Sequence, residues 1–304
     1  MLNKTETLSR LKYWLIAIRP FGFATTTVST SVGAALAFYH GIFDLKLHLI
    51  SMIPLMLIHT GTNLINDYFD YIIGLDHGDS LSSSGLNRVK GKIKPEEFYK
   101  VGLWCFFLSI PFGIYLSLLR GWVIFLVGTI GAFAGFFYTA RPINYKYYGL
   151  GGPSIFLWMG VIMVWGIYLI QTGIQAWYPV WVGIPVSFLI TAMQHSNELR
   201  DYENDKKKGI KTAPVVMGFK FARYYYYFLI ISAYLSLTIL IYKNLLPAWS
   251  LLVLITLPLA VNRIKTIYYA QNQNDLLGID YKMASLNIEF GGSLAATLVI
   301  SRFF

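Results

Sequence analysis

Apolar residues occur along this chain in long segments that alternate with shorter polar ones. A helix needs about 20 predominantly apolar residues to cross a bilayer, and segments near this length recur along the chain. The pattern predicts nine membrane spans, at about residues 12–39, 47–73, 98–119, 121–139, 154–172, 179–199, 223–242, 246–262 and 283–301. We therefore expect an all-α polytopic membrane protein that forms a single domain over residues 1–304.

The composition favours a membrane protein over a soluble one. Of the 304 residues, 56% are hydrophobic and 13% are charged, whereas a soluble chain carries about 25% charged residues. The mean hydropathy is +0.53. The single cysteine, Cys105, leaves no pair for a disulfide and no cysteine metal site. The N-terminus is polar and lacks a short apolar region with a cleavage site, so we predict no removable signal peptide.

The basic residues predict the orientation of the spans. If the N-terminus and the loops after spans 2, 4, 6 and 8 share one side, that side holds all but four of the 25 Lys and Arg. Because Lys and Arg accumulate in cytoplasmic loops, we expect a cell-membrane protein with a cytoplasmic N-terminus and an outer C-terminus. This topology explains the net charge of +10 without a nucleic-acid partner.

Two acidic motifs stand out against this background, and the first follows an apolar run. It reads N-L-I-N-D-Y-F-D-Y-I-I-G-L-D-H-G-D and spans residues 63–79. In a helix, Asn66 and Asp70 share a face because they lie four residues apart, and Asn63 lies one turn before them. Gly74 permits a break, so that Asp76 can fold back toward the same point.

The second motif, N-E-L-R-D-Y-E-N-D, spans residues 197–205 and also ends a long apolar run. It places Asn197, Asp201 and Asp205 at intervals of four residues, and hence on one helical face. An unpaired carboxylate costs about 2.5–3.5 kcal/mol at the bilayer centre and less toward the interface, so a group of such acids must be neutralised and face a water-filled cavity.

The two motifs together predict a site for a divalent metal and a diphosphate on the cytoplasmic side. Mg2+ takes few protein carboxylates and prefers substrate phosphates as its other ligands, and Lys and Arg bind phosphate oxygens. Both motifs are followed by loops rich in basic residues. Two Mg2+ ions that bridge a diphosphate would stabilise it as a leaving group.

These motifs resemble the two signature motifs of the UbiA superfamily of intramembrane prenyltransferases. The resemblance extends to R-P at 19–20, to Y-T-A-R-P and Y-G-L-G within 138–151, and to G-I-K-T-A-P-V-V-M-G at 209–218. It implies nine transmembrane helices around a central cavity that opens at the cytoplasmic side. The first motif has Gly74 where the widely quoted family motif has Asp, and its acid follows at Asp76. This spacing resembles the branch that prenylates 1,4-dihydroxy-2-naphthoate for menaquinone.

The resemblance also implies roles for individual residues, with an isoprenyl diphosphate, an aromatic acceptor and the lipid bilayer as partners. The expected Mg2+ ligands are Asn66, Asp70, Asp76, Asn197, Asp201 and Asp205. The expected catalytic residues are Asp67, Tyr138, Lys146 and Arg200. The residues expected to bind substrate are Asn63, Arg88, Tyr138, Lys146 and Arg200. Asp67 would orient or deprotonate the acceptor, and the Tyr138 ring would stabilise an allylic cation.

Other functions remain open at the level of sequence. The acceptor could instead be 4-hydroxybenzoate, a porphyrin-type ring or a glycerol-phosphate ether lipid. From another class, the acids could form the ion path of a cation-coupled secondary transporter. Transporters tend to place such charges near the midplane, whereas these acids lie at one end of their spans. Glu289, an acid within the last span, has no assigned role.

Overall fold

The computed structural model describes residues 4–75, 84–89 and 91–304, with side chains from Ser9 onward. These residues form helices and turns and contain no strand, which confirms the all-α fold. In chain order the helices are α1 (Lys4–Ala17), α2 (Phe23–Tyr39), α3 (Leu45–Ile72), α4 (Gly85–Val89), α5 (Pro95–Arg120), α6 (Trp122–Phe137), α7 (Gly151–Ile155), α8 (Met163–Thr172), α9 (Tyr178–Lys207), α10 (Ala213–Met217), α11 (Phe219–Tyr242), α12 (Leu257–Tyr269) and α13 (Ile279–Ile300). A π-helical section, Phe156–Ile162, joins α7 to α8, and a 3-10 section, Ala248–Thr256, precedes α12.

Each of the nine predicted spans coincides with a helical segment of this structure. Among the described residues, seven segments are long and apolar enough to cross a membrane: Ser9–Tyr39, Leu45–Ile72, Pro95–Arg120, Gly151–Thr172, Phe219–Tyr242, Ala248–Tyr269 and Gln273–Ile300. The other two predicted spans correspond to α6 and α9. Helix α6 is apolar but has only 16 residues, and α9 carries the charged second motif in its last turns.

The outer surface of the bundle is apolar, as a lipid-facing surface must be. Large hydrophobic side chains lie exposed on neighbouring helices, including Trp104, Leu118 and Trp122, of which Leu118 is 82% exposed. A soluble protein rarely exposes apolar surface on this scale. Together with the seven long apolar segments, this surface identifies an integral membrane protein.

Small residues allow the spanning helices to pack closely. A Cβ atom at Gly61 of α3 would lie 2.9 Å from the carbonyl oxygen of Gly102 on α5, and one at Gly291 of α13 would lie 2.1 Å from Val28 of α2. Such contacts are typical of membrane helices, which gain little from apolar burial among lipids and depend on close packing. The first pair fixes the position of α3, which carries the first acidic motif.

The interior is filled on one side of the bundle and hollow on the other. Buried side chains from α2, α9, α11 and α13 form a continuous core, which includes Leu36, Leu189, Tyr226 and Phe290. Between α3, α5, α6, α8 and α9 the side chains leave a large open space instead. The two acidic motifs lie at one end of this space.

Candidate active site

A cavity of about 920 Å3 runs through the hollow side of the bundle. Most of the predicted site residues line it: Asn63, Asn66, Asp70, Tyr138, Lys146, Asn197, Arg200, Asp201 and Asp205. Asp67 and Arg88 lie behind its wall, and Asp76 lies outside the described residues. Helices α3 and α9 thus bring two motifs that are distant in the chain to one end of a single cavity.

The first motif forms a hydrogen-bonded cluster around Asp70. The Asn66 amide nitrogen Nδ2 donates to Asp70 Oδ2 over 2.8 Å, so these two side chains share a helical face as their spacing predicts. Lys146 Nζ donates to Asn66 Oδ1 and to Asp70 Oδ2, both at 2.8 Å. The Tyr147 hydroxyl donates to Asp70 Oδ1 over 2.7 Å. The Asp70 carboxylate is therefore buried but neutralised by an ammonium group.

Lys146 reaches this cluster because the chain turns back after α6. Residues Tyr145–Tyr148 form a 3-10 turn that begins at Asn144, whose backbone is left-handed with φ 34°. The backbone nitrogen of Lys146 donates to the carbonyl oxygen of Tyr138 over 3.0 Å. This bond holds the turn against the end of α6 and directs Lys146 toward the cavity.

The second motif forms a matching cluster on α9. Arg200 binds Asp201 with two parallel hydrogen bonds, from Nε over 2.9 Å and from Nη2 over 2.8 Å. Thr212 Oγ1 donates to Asp205 Oδ2 over 3.1 Å. Asn204 Nδ2 donates to the backbone oxygen of Leu75 over 2.9 Å, which ties α9 to the end of the first motif.

The donor atoms at this end of the cavity fit a divalent cation that shares its coordination with a ligand. No three His, Cys, Asp or Glu side chains of the described residues form a metal-binding group by themselves. Mg2+ does not require one, because it takes only one or two carboxylates alongside substrate phosphates and water. Asn197 Oδ1 is buried without a hydrogen-bond partner in the described part of the chain, so this acceptor is available to a cation.

Asp205 is another side chain at this end of the cavity whose carboxylate a nearby cation would stabilise. It lies in the last turns of α9, beyond the apolar segment 179–199. Burial, and after it the charge of Asp201, raise the pKa of its carboxyl group to about 8 although Lys146 and the Thr212 hydroxyl act to lower it. A cation at this position would favour the ionised form of the carboxylate.

Asp67 lies one residue after Asn66 but in different surroundings. It is fully buried, its Oδ1 accepts from Arg19 Nη2 over 2.8 Å, and its Oδ2 accepts from the backbone nitrogen of Gly85 over 2.7 Å. Arg19 can reach it because the chain breaks between α1 and α2, where Arg19 has a left-handed backbone with φ 52°. This geometry joins three segments, and it leaves Asp67 outside the cavity lining although its partner Arg19 belongs to that lining.

Arg88 is held against the side of the bundle rather than in the cavity wall. Its guanidinium group lies over the rings of Phe21 and Tyr281, at 5.2 and 5.3 Å from their centroids, and hydrogen-bonds the Tyr281 hydroxyl. Asp280 Oδ2 lies 3.7 Å from Arg88 Nη2 and 3.9 Å from Arg200 Nη1. The buried Asp280 carboxylate therefore links Arg88 to the arginine of the second motif.

Tyr138 lies beside the acidic clusters with its ring in the cavity wall. Only 8% of the residue is exposed, and its hydroxyl has no hydrogen-bond partner among the described residues. The Tyr145 ring packs against it edge-on, with centroids 5.5 Å apart. The ring is therefore held in place in the cavity wall by its neighbours.

Sequence reasoning missed several residues that support the site. Tyr147, Thr212 and Asp280 each contact a predicted site residue, and Asn204 hydrogen-bonds the backbone of Leu75 at the end of the first motif. Arg19 was singled out only through the R-P pair, and its contact with Asp67 was not foreseen. Tyr147 adjoins Lys146 and Asn204 belongs to the second motif, so their positions gave a signal, whereas Asp280 has no local pattern that distinguishes it.

Comparisons with known proteins report on the family and the fold of this chain. The sequence model of the UbiA prenyltransferase family matches residues 26–284. The chain is 28% identical over 285 residues to the 1,4-dihydroxy-2-naphthoate octaprenyltransferase of Bacillus subtilis (strain 168), across 94% of this chain and 91% of that protein. The apo structure of a UbiA homologue from Aeropyrum pernix K1 matches with a TM-score of 0.67 at 16% identity, over 93% of this chain and 98% of that one. A UbiA homologue from Archaeoglobus fulgidus bound to GPP and Mg2+ matches with a TM-score of 0.61 at 18% identity, over 93% and 99%.

Proposed function

Since this chain is a prenyltransferase that belongs to the UbiA family, we propose that it transfers an isoprenyl group from an isoprenyl diphosphate to an aromatic acceptor within the membrane. We propose that the reaction depends on Mg2+ and that the acceptor is 1,4-dihydroxy-2-naphthoate, in menaquinone biosynthesis. The acceptor is inferred from the Bacillus subtilis relative and from the Gly74 and Asp76 spacing of the first motif.

One observation carries this proposal. Two acidic motifs, each paired with a basic side chain, lie at the end of an otherwise apolar cavity. A prenyl diphosphate has the complementary shape, because its charged head needs cations and its tail needs an apolar wall. Leu55, Ile58 and Trp158 belong to the part of the wall that would contact the tail.

The metal site would combine both motifs. Two Mg2+ ions would be held by the following residues: Asn66, Asp70, Asp76, Asn197, Asp201 and Asp205. When bound, Mg2+ would neutralise negative charge on the diphosphate and so make it a better leaving group. Lys146 and Arg200 supply fixed positive charge beside the same carboxylates.

The reaction breaks one bond in the donor and forms one in the product. The bond between the first isoprenyl carbon and the diphosphate oxygen breaks, and the electron pair leaves with the diphosphate. Lys146 and Arg200 stabilise the charge that grows there, while the Tyr138 ring faces the allylic cation. A carbon of the electron-rich acceptor ring attacks the cation, and the proton displaced from that carbon passes to the released diphosphate, which acts as the base.

Asp67 and Arg88 would assist this chemistry by holding other groups in place. Both oxygens of Asp67 already accept hydrogen bonds, from Arg19 and from Gly85, which favours orientation over proton removal. Arg88 would act through Asp280, which lies between it and Arg200. Asn63 lines the cavity one turn from Asn66 and would contact the substrate.

We propose a cell-membrane location with the N-terminus in the cytoplasm, the C-terminus outside and the active site open to the cytoplasm. The distribution of Lys and Arg among the loops supports this orientation. It would let a water-soluble naphthoate acceptor and the released diphosphate exchange with the cytoplasm, while the donor tail stays within the bilayer.

Prenyl transfer by the purified protein in detergent tests the proposal. Radiolabelled geranylgeranyl diphosphate and 1,4-dihydroxy-2-naphthoate are supplied with Mg2+ or with EDTA, and Asp70→Ala and Asp201→Ala are assayed in parallel. We expect a metal-dependent product that both variants lose. Metal-dependent donor binding without product would direct the search to 4-hydroxybenzoate, porphyrin-type or glycerol-phosphate acceptors. If the protein binds no prenyl diphosphate in a metal-dependent way, the result contradicts the proposed enzymatic function and favours a cation-coupled transporter.

A further inference from the structure

The second motif contains a buried acid that the proposed mechanism does not use. Glu198 lies directly after Asn197 on α9, is only 5% exposed and lines the cavity. No Lys or Arg of the described residues forms a salt bridge with it, whereas Asp201, three residues further on, is bound by Arg200. Because an acid within a spanning helix is costly and normally has a partner, the surroundings of Glu198 call for a physical reason.

The Glu198 carboxylate makes few hydrogen bonds within the described part of the protein. Gln194 Nε2 donates to Oε1 over a long 3.4 Å. His195 Nδ1 lies 3.8 Å from Oε2, which is too far for a hydrogen bond. His195 Nε2 lies 2.8 Å from the carbonyl oxygen of Ala222, and since a carbonyl oxygen only accepts, the hydrogen of a neutral His195 ring is on Nε2. A carboxylate can accept about four hydrogen bonds, so Glu198 keeps unused acceptor capacity in the cavity wall.

The Tyr138 hydroxyl lies beside this carboxylate. A Cβ atom at Gly151 would lie 3.1 Å from the Tyr138 hydroxyl oxygen and 3.3 Å from Glu198 Oε1, so the two oxygens converge on the same point. Tyr138 is 8% exposed, and its hydroxyl has no hydrogen-bond partner among the residues that the structure describes. A donor without an acceptor and an acceptor with few donors therefore lie next to each other in the cavity wall.

This arrangement is complementary to a hydroxyl group of a ligand. A hydroxyl both donates and accepts hydrogen bonds, so it can donate to Glu198 and accept from Tyr138 at the same time. A ligand carboxylate would lack the hydrogen that Glu198 requires and would be repelled by its charge. An isoprenyl chain has no polar atom for this position. Of the two substrates in the proposed reaction, the aromatic acceptor is the one that carries hydroxyl groups.

The depth of Glu198 agrees with a position beside the acceptor. Glu198 precedes Asp201 by three residues, which places it about 4.5 Å further into the cavity along α9. The first isoprenyl carbon would lie on this same side of the metal site, because the donor chain extends from the diphosphate into the apolar part of the cavity. Glu198 is therefore close to the level at which the new carbon–carbon bond would form.

We propose that Glu198 binds a ring hydroxyl of the aromatic acceptor and so orients the acceptor for attack, with the Tyr138 hydroxyl donating to the oxygen of the same group. The proposal rests on the proposed prenyl transfer and adds a specificity-determining residue to it. Glu198 accepts a charge-assisted hydrogen bond without removing the hydroxyl hydrogen. The proton of the attacked carbon still passes to the released diphosphate. The acceptor carboxylate points away from Glu198.

The test compares three acceptors in the parent, in Glu198→Gln and in Glu198→Leu. They are 1,4-dihydroxy-2-naphthoate and two analogues that each lack one hydroxyl, 1-hydroxy-2-naphthoate and 4-hydroxy-2-naphthoate. The readout is the kcat/KM for the dihydroxy acceptor divided by that for each analogue, because this ratio cancels a general loss of activity. Glu203→Gln, at an exposed acid of the same helix, is the matched control. Mg2+-dependent binding of geranylgeranyl diphosphate and thermal unfolding in detergent are measured for each protein.

We expect the ratio for one of the two analogues to fall by about tenfold or more in Glu198→Leu, since a hydrogen bond to a charged group contributes at this level. The ratio should fall less in Glu198→Gln, whose amide oxygen still accepts. Donor binding in both variants, and the ratios in Glu203→Gln, should match those of the parent.

Two results would overturn this proposal alone. One is a pair of ratios in Glu198→Leu that equal those of the parent. The other is a loss of Mg2+-dependent donor binding in Glu198→Gln, which would assign Glu198 to the metal site. A parent protein that transfers no isoprenyl group to any of the three acceptors would contradict the proposed function together with this proposal, which distinguishes the two failures.

Discussion

Lys146 Nζ lies 2.8 Å from Asp70 Oδ2, although 76 positions separate the two residues in the chain. Both side chains are largely buried, with 13% and 9% of their surface exposed, and both line the cavity. Burial of either charge alone would be costly. The pair therefore places a fixed positive charge where the diphosphate head is proposed to bind, and it does so before any ligand arrives.

Lys146→Met removes that charge and leaves the Asp70 carboxylate without its ammonium partner. We expect kcat/KM for prenyl transfer to fall by about 100-fold or more, the usual effect of losing one group that stabilises a developing charge. Steady-state kinetics with the geranylgeranyl donor measure the effect. Lys146→Arg keeps the charge and should retain more activity than Lys146→Met. Equal activity of Lys146→Met and the parent would show that this ion pair has no part in transfer.

Asp67 is predicted to contribute to stability through its buried contacts with Arg19 and Gly85. Asp67→Ala leaves the Arg19 guanidinium without its partner, and breaking a buried ion pair in this way costs about 3–5 kcal/mol. Denaturant unfolding in detergent should show this loss, while Glu203→Gln, at an exposed position of α9, should change stability by about 0.5 kcal/mol or less.

The same variant separates two roles for Asp67. If Asp67 positions neighbouring segments, transfer and stability fall together. A stable Asp67→Ala protein that binds the donor but cannot prenylate the acceptor would instead indicate that Asp67 removes a proton from the acceptor.

The fold could be predicted from sequence because its signals are local. Apolar length located nine segments that are helical in the described part of the chain, and seven of them are long and apolar enough to cross a membrane, since a span must be apolar over about 20 residues wherever its neighbours lie. The face shared by Asn66 and Asp70 was predictable for the same reason, because a spacing of four in a helix sets direction without tertiary information. Their hydrogen bond confirms it.

The different positions of Asp67 and Asp70 within the first motif could not be predicted from their spacing in a helix. Asp67 and Asp70 are three residues apart and have the same side chain, yet Asp70 lines the cavity and Asp67 does not. What distinguishes them is the left-handed backbone at Arg19 and the approach of Gly85, both distant in the chain. Asp280 could not be predicted either, because its role depends on Arg88 and Arg200 both lying near its carboxylate.

Tyr138 offers a test of the proposed allylic cation. Its ring lines the cavity, and its hydroxyl has no partner among the described residues. Tyr138→Phe keeps the aromatic face and should preserve kcat within about threefold, whereas Tyr138→Leu loses a desolvated cation–π interaction worth about 2 kcal/mol and should lower kcat by about 30-fold. Single-turnover kinetics isolate the chemical step. If Tyr138→Leu reacts as fast as Tyr138→Phe, the ring does not stabilise the cation.

The raised pKa of the Asp205 carboxyl group predicts that Mg2+ binding depends on pH. Its carboxyl group has a pKa of about 8 without a cation, raised mainly by burial and then by Asp201. At pH 6 the group is therefore mostly protonated, and at pH 9 it is mostly ionised. Mg2+ binds the ionised form, so its affinity should rise with pH through about 8, by at most about tenfold per pH unit for one proton displaced.

Titration of the purified protein with Mg2+ in weakly buffered solution, with a pH indicator, should show protons released on binding at pH 7 and fewer at pH 9. Asp205→Asn removes the titrating group and should flatten the dependence of Mg2+ affinity on pH, while Glu203→Gln on the exposed side of α9 should leave it intact. Mg2+ affinity in the parent that stays constant from pH 6 to pH 9 would show that Asp205 does not bind the ion, and would confine the metal site to the remaining residues of the two motifs.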